Sequence, residues 1–353
     1  LKPENNVVIT IGEIVVDWIS LDTGLNFTDA TDFHRSLGGN ATNVSVAVSR
    51  LGSPARLIAK IGTDLHADLV RAKLIDENID LDFLFVDTRY PTAQCYGIRD
   101  AHDEAIYYNW PKPNAAIMLC EDDITYDAFN RAASIHATGI SLTVEPRKSA
   151  VLKALEMAQA QSVLVSFDAG FPTDSHESID DARKAMMLAD IVKINLSELF
   201  YWTGLGKDSI ADHLSRLQQA NFSLSDPVVE DLRLAIDAFM KEHHPAALLI
   251  TFGPHGSCVV TSETTLYSPP FAVESVSSIG AGDAYIAAIL HCLSKRQVTA
   301  KSLSSLSPKD WLEIIAFANA VGALATRHLS AVGSLPTQQE VRQLLDKVPP
   351  AVG

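Results

Sequence analysis

Ser277-Ser278-Ile279-Gly280-Ala281-Gly282-Asp283-Ala284-Tyr285-Ile286-Ala287-Ala288 sets two glycines around an alanine and then one carboxylate, at the head of an apolar run that continues to Leu290. The glycines let successive backbone N–H groups point the same way, and the run predicts a helix whose positive dipole end faces them. An anion the size of a phosphate fits such a cradle. Asp283 falls in the first turn of that helix, where a carboxylate can take the proton of an attacking hydroxyl. The same residues also suit a plain glycine turn whose first-turn acid stabilises the helix.

Outward from this stretch the chain alternates apolar strands and amphipathic helices, the grammar of βαβ units. Val7 to Val15 is a nearly continuous apolar run, as in a strand buried on both faces of a parallel sheet. Residues 41–51 carry Ala41, Val44, Ala47, Val48 and Leu51 at helical spacing, with Asn40 as cap and Gly52 as stop. Further strands are predicted at Leu57 to Ile61, Ser134 to His136, Val163 to Phe167, Ile191 to Lys193 and Ala247 to Phe252. Helices are predicted at Asp64 to Asn78, 146–160, 177–188, Ser209 to Gln219 and Val228 to His243. Two stretches break the rhythm. Residues 13–35 mix Trp18, Ile19, Leu21, Phe27 and Phe33 with polar residues, and residues 92–110 read as a hairpin turning at Asp100 to Glu104.

Composition sets the outer bounds. A chain of 353 residues with 47% hydrophobic content can bury a large core. A formal charge of −15 and a pI near 5.1 argue against nucleic-acid or anionic-membrane partners, which need a basic face. An anionic substrate must then be held by local dipoles or a metal. Cys95, Cys120, Cys258 and Cys292 are far apart and form no metal-ligand spacing, so reduced thiols and a cytoplasmic address are expected. The opening residues Leu1 to Asn6 show no basic segment leading into an apolar core, and no apolar run approaches the ~18 residues of a membrane span.

The glycine-alanine-glycine-aspartate stretch resembles the C-terminal signature of the ribokinase or PfkB family of sugar and nucleoside kinases. A second stretch, Gly38-Gly39-Asn40-Ala41-Thr42-Asn43-Val44-Ser45 followed by Gly52 and Gly62, is similar to the family's N-terminal signature. Further likenesses lie at Gly12 to Asp17, Lys193 to Glu198, Thr251 to Gly256, Phe317 to Ala320 and Leu335 to Thr337, so the resemblance spans nearly the whole chain. It is nearest to the fructokinase branch.

The resemblance implies an α/β fold: a ribokinase-like three-layer αβα core with a mainly parallel sheet, formed by 1–12, 36–90 and 113–353, and a small β lid formed by 13–35 and 91–112. It implies an ATP-dependent, Mg²⁺-requiring transfer of phosphate to a primary hydroxyl of a neutral sugar, fructose first. Asp283 is then the general base, and the N–H groups of Gly280, Ala281 and Gly282 the anion hole. Asn195 and Glu198, at i and i+3 after a strand, can face one direction; the family reading turns them toward Mg²⁺, and the plain one makes them a helix cap. Thr251, Gly253 and Gly256 are implied for ATP, with Asn319 in the adenine pocket or merely bonded to a neighbouring turn. Asp17, Gly39 and Asn43 are implied for the sugar, with Thr92 and Tyr107 reaching from the lid; Asp17 and Asn43 also suit a solvated loop residue and a capping residue. Lys193 reads equally as a surface lysine at a strand end and is given no role. The family also implies a homodimer through the lid, for which Trp18, Ile19 and Tyr108 offer an apolar face.

The chain departs from the family in informative places. Ser277-Ser278-Ile279 replaces the usual Asp-Thr-x and Ser330 a common glycine, removing the carboxylate that balances a monovalent cation and counting against potassium activation. Asp168-Ala169-Gly170-Phe171-Pro172 keeps only the first carboxylate of a frequent Asp-Pro-Asn-x-Arg run. Asn109, not arginine, follows Tyr107-Tyr108, which favours a neutral over an acidic sugar. Lys112 and Arg99 keep an acidic substrate such as 2-keto-3-deoxygluconate open. Ribose and nucleosides stay open as substrates, as does a catalytically silent sugar-binding protein on the same fold.

Overall fold

The computed structural model describes residues 6–99, 105–109, 112–170, 176–206 and 208–347. Thirteen strands fall within them: β1 (Val7–Ile11), β2 (Val15–Thr23), β3 (Phe33–Gly38), β4 (Ala55–Ile61), β5 (Leu84–Val86), β6 (Gln94–Arg99), β7 (Ala105–Asn109), β8 (Ala132–Thr138), β9 (Leu164–Asp168), β10 (Ile191–Asn195), β11 (Ala247–Thr251), β12 (Ser257–Val260) and β13 (Thr265–Ser268). The helices are α1 (Asn40–Arg50), α2 (Leu65–Asp76), α3 (Arg147–Ala160), α4 (His176–Leu188), α5 (Leu196–Thr203), α6 (Ile210–Gln219), α7 (Glu230–His243), α8 (Ala281–Lys295), α9 (Pro308–Leu324), α10 (Ala331–Ser334) and α11 (Gln338–Lys347).

Nine strands form the main sheet in the order β13-β12-β11-β10-β9-β8-β1-β4-β5, parallel except where β12 pairs β11 and β13. Its interior strand β1 is buried along its whole length, which is why it reads as an unbroken apolar run. Two hydrophobic clusters lie on opposite faces. One joins the sheet to α1, α2, α8, α9 and α11, the other to α3 through α7. This is the expected ribokinase-like three-layer fold.

The remaining four strands make a separate small sheet, β3-β2-β6-β7, in which β2 pairs antiparallel with β3 and parallel with β6. β6 and β7 form the expected hairpin; its turn, Asp100 to Glu104, lies outside the described residues, as do Phe171 and Pro172. β3 continues to Gly38 and so runs straight into α1. Ile19, expected on the exposed lid face, is 2% exposed because it points inward, whereas Leu21, Leu25 and Phe27 are exposed. The side chain of Tyr108 is not among those described. Among the described residues no helix is long and apolar enough to cross a membrane, and all four cysteines are free thiols.

Candidate active site

Strand order reverses beside β1, and a cleft opens at the carboxyl ends of the strands there, the general ligand position of open α/β sheets. The cleft has a volume of about 850 Å³ and lies between the main sheet and the small one. Its lining includes Glu13, Asp17, Asn43, Arg147, Asp168, Lys193, Glu198, Gly280, Gly282 and Asp283.

Two glycines shape its walls. Gly280 caps α8 at φ 77, a left-handed conformation that turns the chain into the helix so that Asp283 sits in its first turn. Gly39, at φ 92, caps α1 in the place expected for Asn40, which instead opens the helix. A Cβ on Gly39 would lie 2.5 Å from the carbonyl oxygen of Glu13, so no other residue lets α1 approach the end of β1 so closely.

Asp283 and Asn43, from helices at opposite ends of the sequence, meet here: Asn43 Nδ2 donates to Asp283 Oδ2 at 2.8 Å. Burial raises the Asp283 pKa to about 7; the Asn43 bond opposes this, the charges of Asp168 and Glu13 add to it, and Lys193 opposes it. Burial, with the charge of Glu13, likewise raises Asp17 to about 7, and among the described residues Asp17 has no hydrogen-bond or ion-pair partner. Glu198 is raised to about 7 by burial and by Asp168, against Lys193. Lys193 is 6% exposed and donates from Nζ to Asp168 Oδ2 at 2.8 Å. Burial works against its charge, but Asp168, Glu198 and Asp283 outweigh it and hold the ammonium protonated. A Cβ on Gly282 would lie 3.0 Å from that Nζ, so the lysine packs against the glycine turn.

The expected residues fall into two groups. Asp17, Gly39, Asn43, Tyr107, Glu198, Gly280, Gly282 and Asp283 line one cleft, with Ala281 between the two glycines. Thr92 does not. It is fully buried, its hydroxyl accepts from the Gly62 N–H, and its own N–H donates to Asp64, so it anchors the entry to β6. Asn195 forms a reciprocal cap with Glu198: its Oδ1 accepts from the Glu198 N–H, while Glu198 accepts from the Asn195 N–H and Nδ2. Its amide is therefore spent on holding Glu198.

Thr251, Gly253, Gly256 and Asn319 lie away from the lining, around the end of β11. Asn319 Oδ1 accepts from Ser257, and its Nδ2 donates to the carbonyls of Ser268 and Pro269, so the side-chain amide is filled by the neighbouring turn. Gly256, at φ 87, would place a Cβ 2.3 Å from the Ser268 carbonyl, and its smallness serves that turn. Gly253, at φ 58, faces open space.

Four charged residues of the cleft were given no role by sequence: Glu13, Arg147, Asp168 and Lys193. The available signal for Lys193 was its position inside the apolar strand Ile191–Asn195, where a lysine needs a buried counter-charge. The structure buries it and supplies Asp168.

Residues 5–338 match the model of the pfkB family of carbohydrate kinases. Fructokinase-1 of Zea mays is 32% identical over 97% of this chain and 98% of its own length. A fructokinase of Vibrio cholerae O395, solved in fructose-, ADP- and calcium-bound form, superposes with a TM-score of 0.76 at 25% identity over 96% of this chain and 99% of that one. A fructokinase of Xylella fastidiosa with bound ATP gives a TM-score of 0.80 at 23% identity, over 97% and 98% of the two chains.

Proposed function

The chain belongs to the pfkB family of carbohydrate kinases, phosphotransferases that act on an alcohol group, and from that premise we propose that it is a fructokinase with Asp283 as its general base. The observation that carries the reading is the meeting of Asp283, Asn43 and the Gly280–Gly282 turn in one cleft. Fructose is favoured by the fructokinase relatives and by the bound fructose of the Vibrio protein.

The sugar's primary hydroxyl lies against Asp283, whose carboxylate takes the proton as the oxygen attacks the γ-phosphorus of ATP. One O–P bond forms, the bond to the ADP oxygen breaks, and the proton stays on Asp283. Asn43 holds Asp283 Oδ2 so that the other carboxylate oxygen meets the hydroxyl. Charge spreading onto the transferred phosphoryl faces the N–H groups of Gly280 and Gly282 at the positive end of α8, whereas the Ala281 N–H, expected beside them, is spent on the Ser278 carbonyl at 3.2 Å. Asp17 accepts from sugar hydroxyls opposite, under Tyr107 of the small sheet.

Glu198 and Asp168 offer hard oxygen donors in a carboxylate-rich corner that the single charge of Lys193 does not neutralise, so the residues suit Mg²⁺. When bound, the ion neutralises phosphate oxygens. Asn195 contributes by fixing Glu198 rather than as a ligand. Thr251 and Gly253 are assigned to ATP, with recognition through backbone and shape. A second copy docking on the exposed Leu21, Leu25 and Phe27 of the lid, and a reducing cytoplasmic setting, complete the proposal. A monomer in sedimentation at high concentration removes the dimer.

ADP release measured across a panel of ketoses, aldoses, sugar acids and nucleosides tests the reading. Fructose is expected to give the highest kcat/KM; a higher value with a sugar acid or a nucleoside overturns the substrate, and no turnover despite sugar binding overturns the catalysis.

A further inference from the structure

Three loops meet on the floor of the cleft: the link from β1 to β2 at Glu13, the start of α1 at Gly39 and Asn40, and the loop from β8 to α3 at Gly139 to Arg147. Glu13 ties them. Its Oε1 accepts from the Asn40 N–H at 2.9 Å and its Oε2 from the Ser141 hydroxyl at 2.9 Å. Arg147 is held just as firmly. Nε donates to the Ser141 carbonyl at 3.1 Å, and NH2 to the Ile140 carbonyl at 2.8 Å and to Thr143 Oγ1 at 3.4 Å. Both residues are 5% exposed.

One arm of the guanidinium is left over. Among the described residues NH1 makes no hydrogen bond, and it stands 3.9 Å from Glu13 Oε2. That gap is too long for a direct N–H···O bond, yet an oxygen set beside the pair, about 2 Å off the line joining the two atoms, lies about 2.8–3.0 Å from each. The occupant must accept from NH1 and donate to the carboxylate, which is what a hydroxyl does. The gap belongs to the sugar side of the cleft, because Glu13 packs against Gly39 and accepts from the Asn40 N–H at the start of α1, the helix that carries Asn43. Loop anchoring alone explains Nε and NH2. It leaves a cation with two unspent donors, buried and facing a cavity.

We propose that Arg147 is a sugar-contacting, specificity-determining residue whose NH1, together with Glu13 Oε2, grips one hydroxyl of the substrate. The proposal rests on the sugar-kinase reading of the cleft and goes beyond it by naming a recognition element remote in sequence from both glycine signatures. The paired geometry selects a hydroxyl over a hydrogen, a methoxy group or a fluorine, none of which both donates and accepts.

The test is a cycle between enzyme and substrate. On the sugar that the wild-type enzyme phosphorylates best, each singly deoxygenated analogue is assayed with wild type and with Arg147→Met. In wild type, loss of one particular hydroxyl is expected to lower kcat/KM by about 10- to 100-fold, as for a hydrogen bond to a charged group. In Arg147→Met that same loss costs about twofold or less, the other hydroxyls keep their wild-type penalties, and KM for ATP is unchanged. If every analogue loses the same factor in both proteins, Arg147 only straps its loop, the gap holds a water, and the proposal is overturned. If Arg147→Met melts far below wild type, Glu13→Gln carries the cycle, since it keeps an acceptor for Asn40 but cannot take the hydroxyl's proton. Turnover of no sugar by wild type would sink the kinase reading and this proposal with it.

Discussion

The end of the cleft that holds Asp17, Asn43 and Asp283 and the region around Asn319 and Gly256 are both polar, but their polar groups are in opposite states. At the first, Asp17 has no partner among the described residues, and Asn43 Oδ1 is buried without one. At the second, the Asn319 amide is saturated by Ser257, Ser268 and Pro269. An unspent carboxylate lining a cavity, as at Asp17, awaits a ligand, whereas satisfied groups are part of the frame. On the proposed function, side-chain recognition is concentrated at the sugar and phosphoryl end, and the nucleotide is left to backbone and shape.

That contrast breaks first at Asp283. Asp283→Asn keeps the shape and the Asn43 contact but not the proton acceptor, and kcat is expected to fall about 10³-fold while calorimetric ATP binding stays within a few-fold. A variant within tenfold of wild type would remove the base. Next comes Asp17→Asn, expected to lower kcat/KM for the sugar by about 10- to 100-fold with KM for ATP unchanged. Equal losses for both substrates would show a fold defect instead of a sugar contact.

The acids also set a pH signature. With Asp283 at about 7, kcat/KM should fall below roughly that pH as the carboxylate protonates in the free enzyme. For stability the sign is opposite to that of a salt-bridged acid. Asp17, Glu198 and Asp283 bind protons more tightly folded than unfolded, so the stability they contribute is fully present below about pH 4 and lost as pH rises through about 7. Thermal melts between pH 5.5 and 8 should therefore show a decline that is smaller in Asp283→Asn; an unchanged slope would deny the shift.

The smallest catalytic effect is expected at the other end. Asn319→Ala should cost about 1–3 kcal/mol of stability through its stranded partners, yet move KM for ATP less than threefold. A tenfold rise in KM with an unchanged melt would make Asn319 a nucleotide contact and erase the contrast.

The sequence made α1 readable through its helical spacing between glycines, α8 through the apolar run behind its glycine turn, and β1 and β11 as unbroken apolar runs. The meeting of Asp283 and Asn43 was likewise legible, through two separate signatures. The cap of α1 moved from Asn40 to Gly39 because the close approach to Glu13 outweighed the side-chain preference. β12 and β13, four residues each, were too short to show a period. Lys193 and Arg147 were opaque for another reason. Their counter-charges, Asp168 and Glu13, come from other strand ends, so the neighbouring residues give at most the apolar setting of Lys193 and never name either partner.

The main sheet ends on one side in β5, three residues long, and on the other in β13, four residues long. Rows of unpaired backbone groups on a flat border invite strands from other molecules, and short borders offer little to grip. A protein with a sheet nine strands wide is thereby kept from pairing with its neighbours edge to edge.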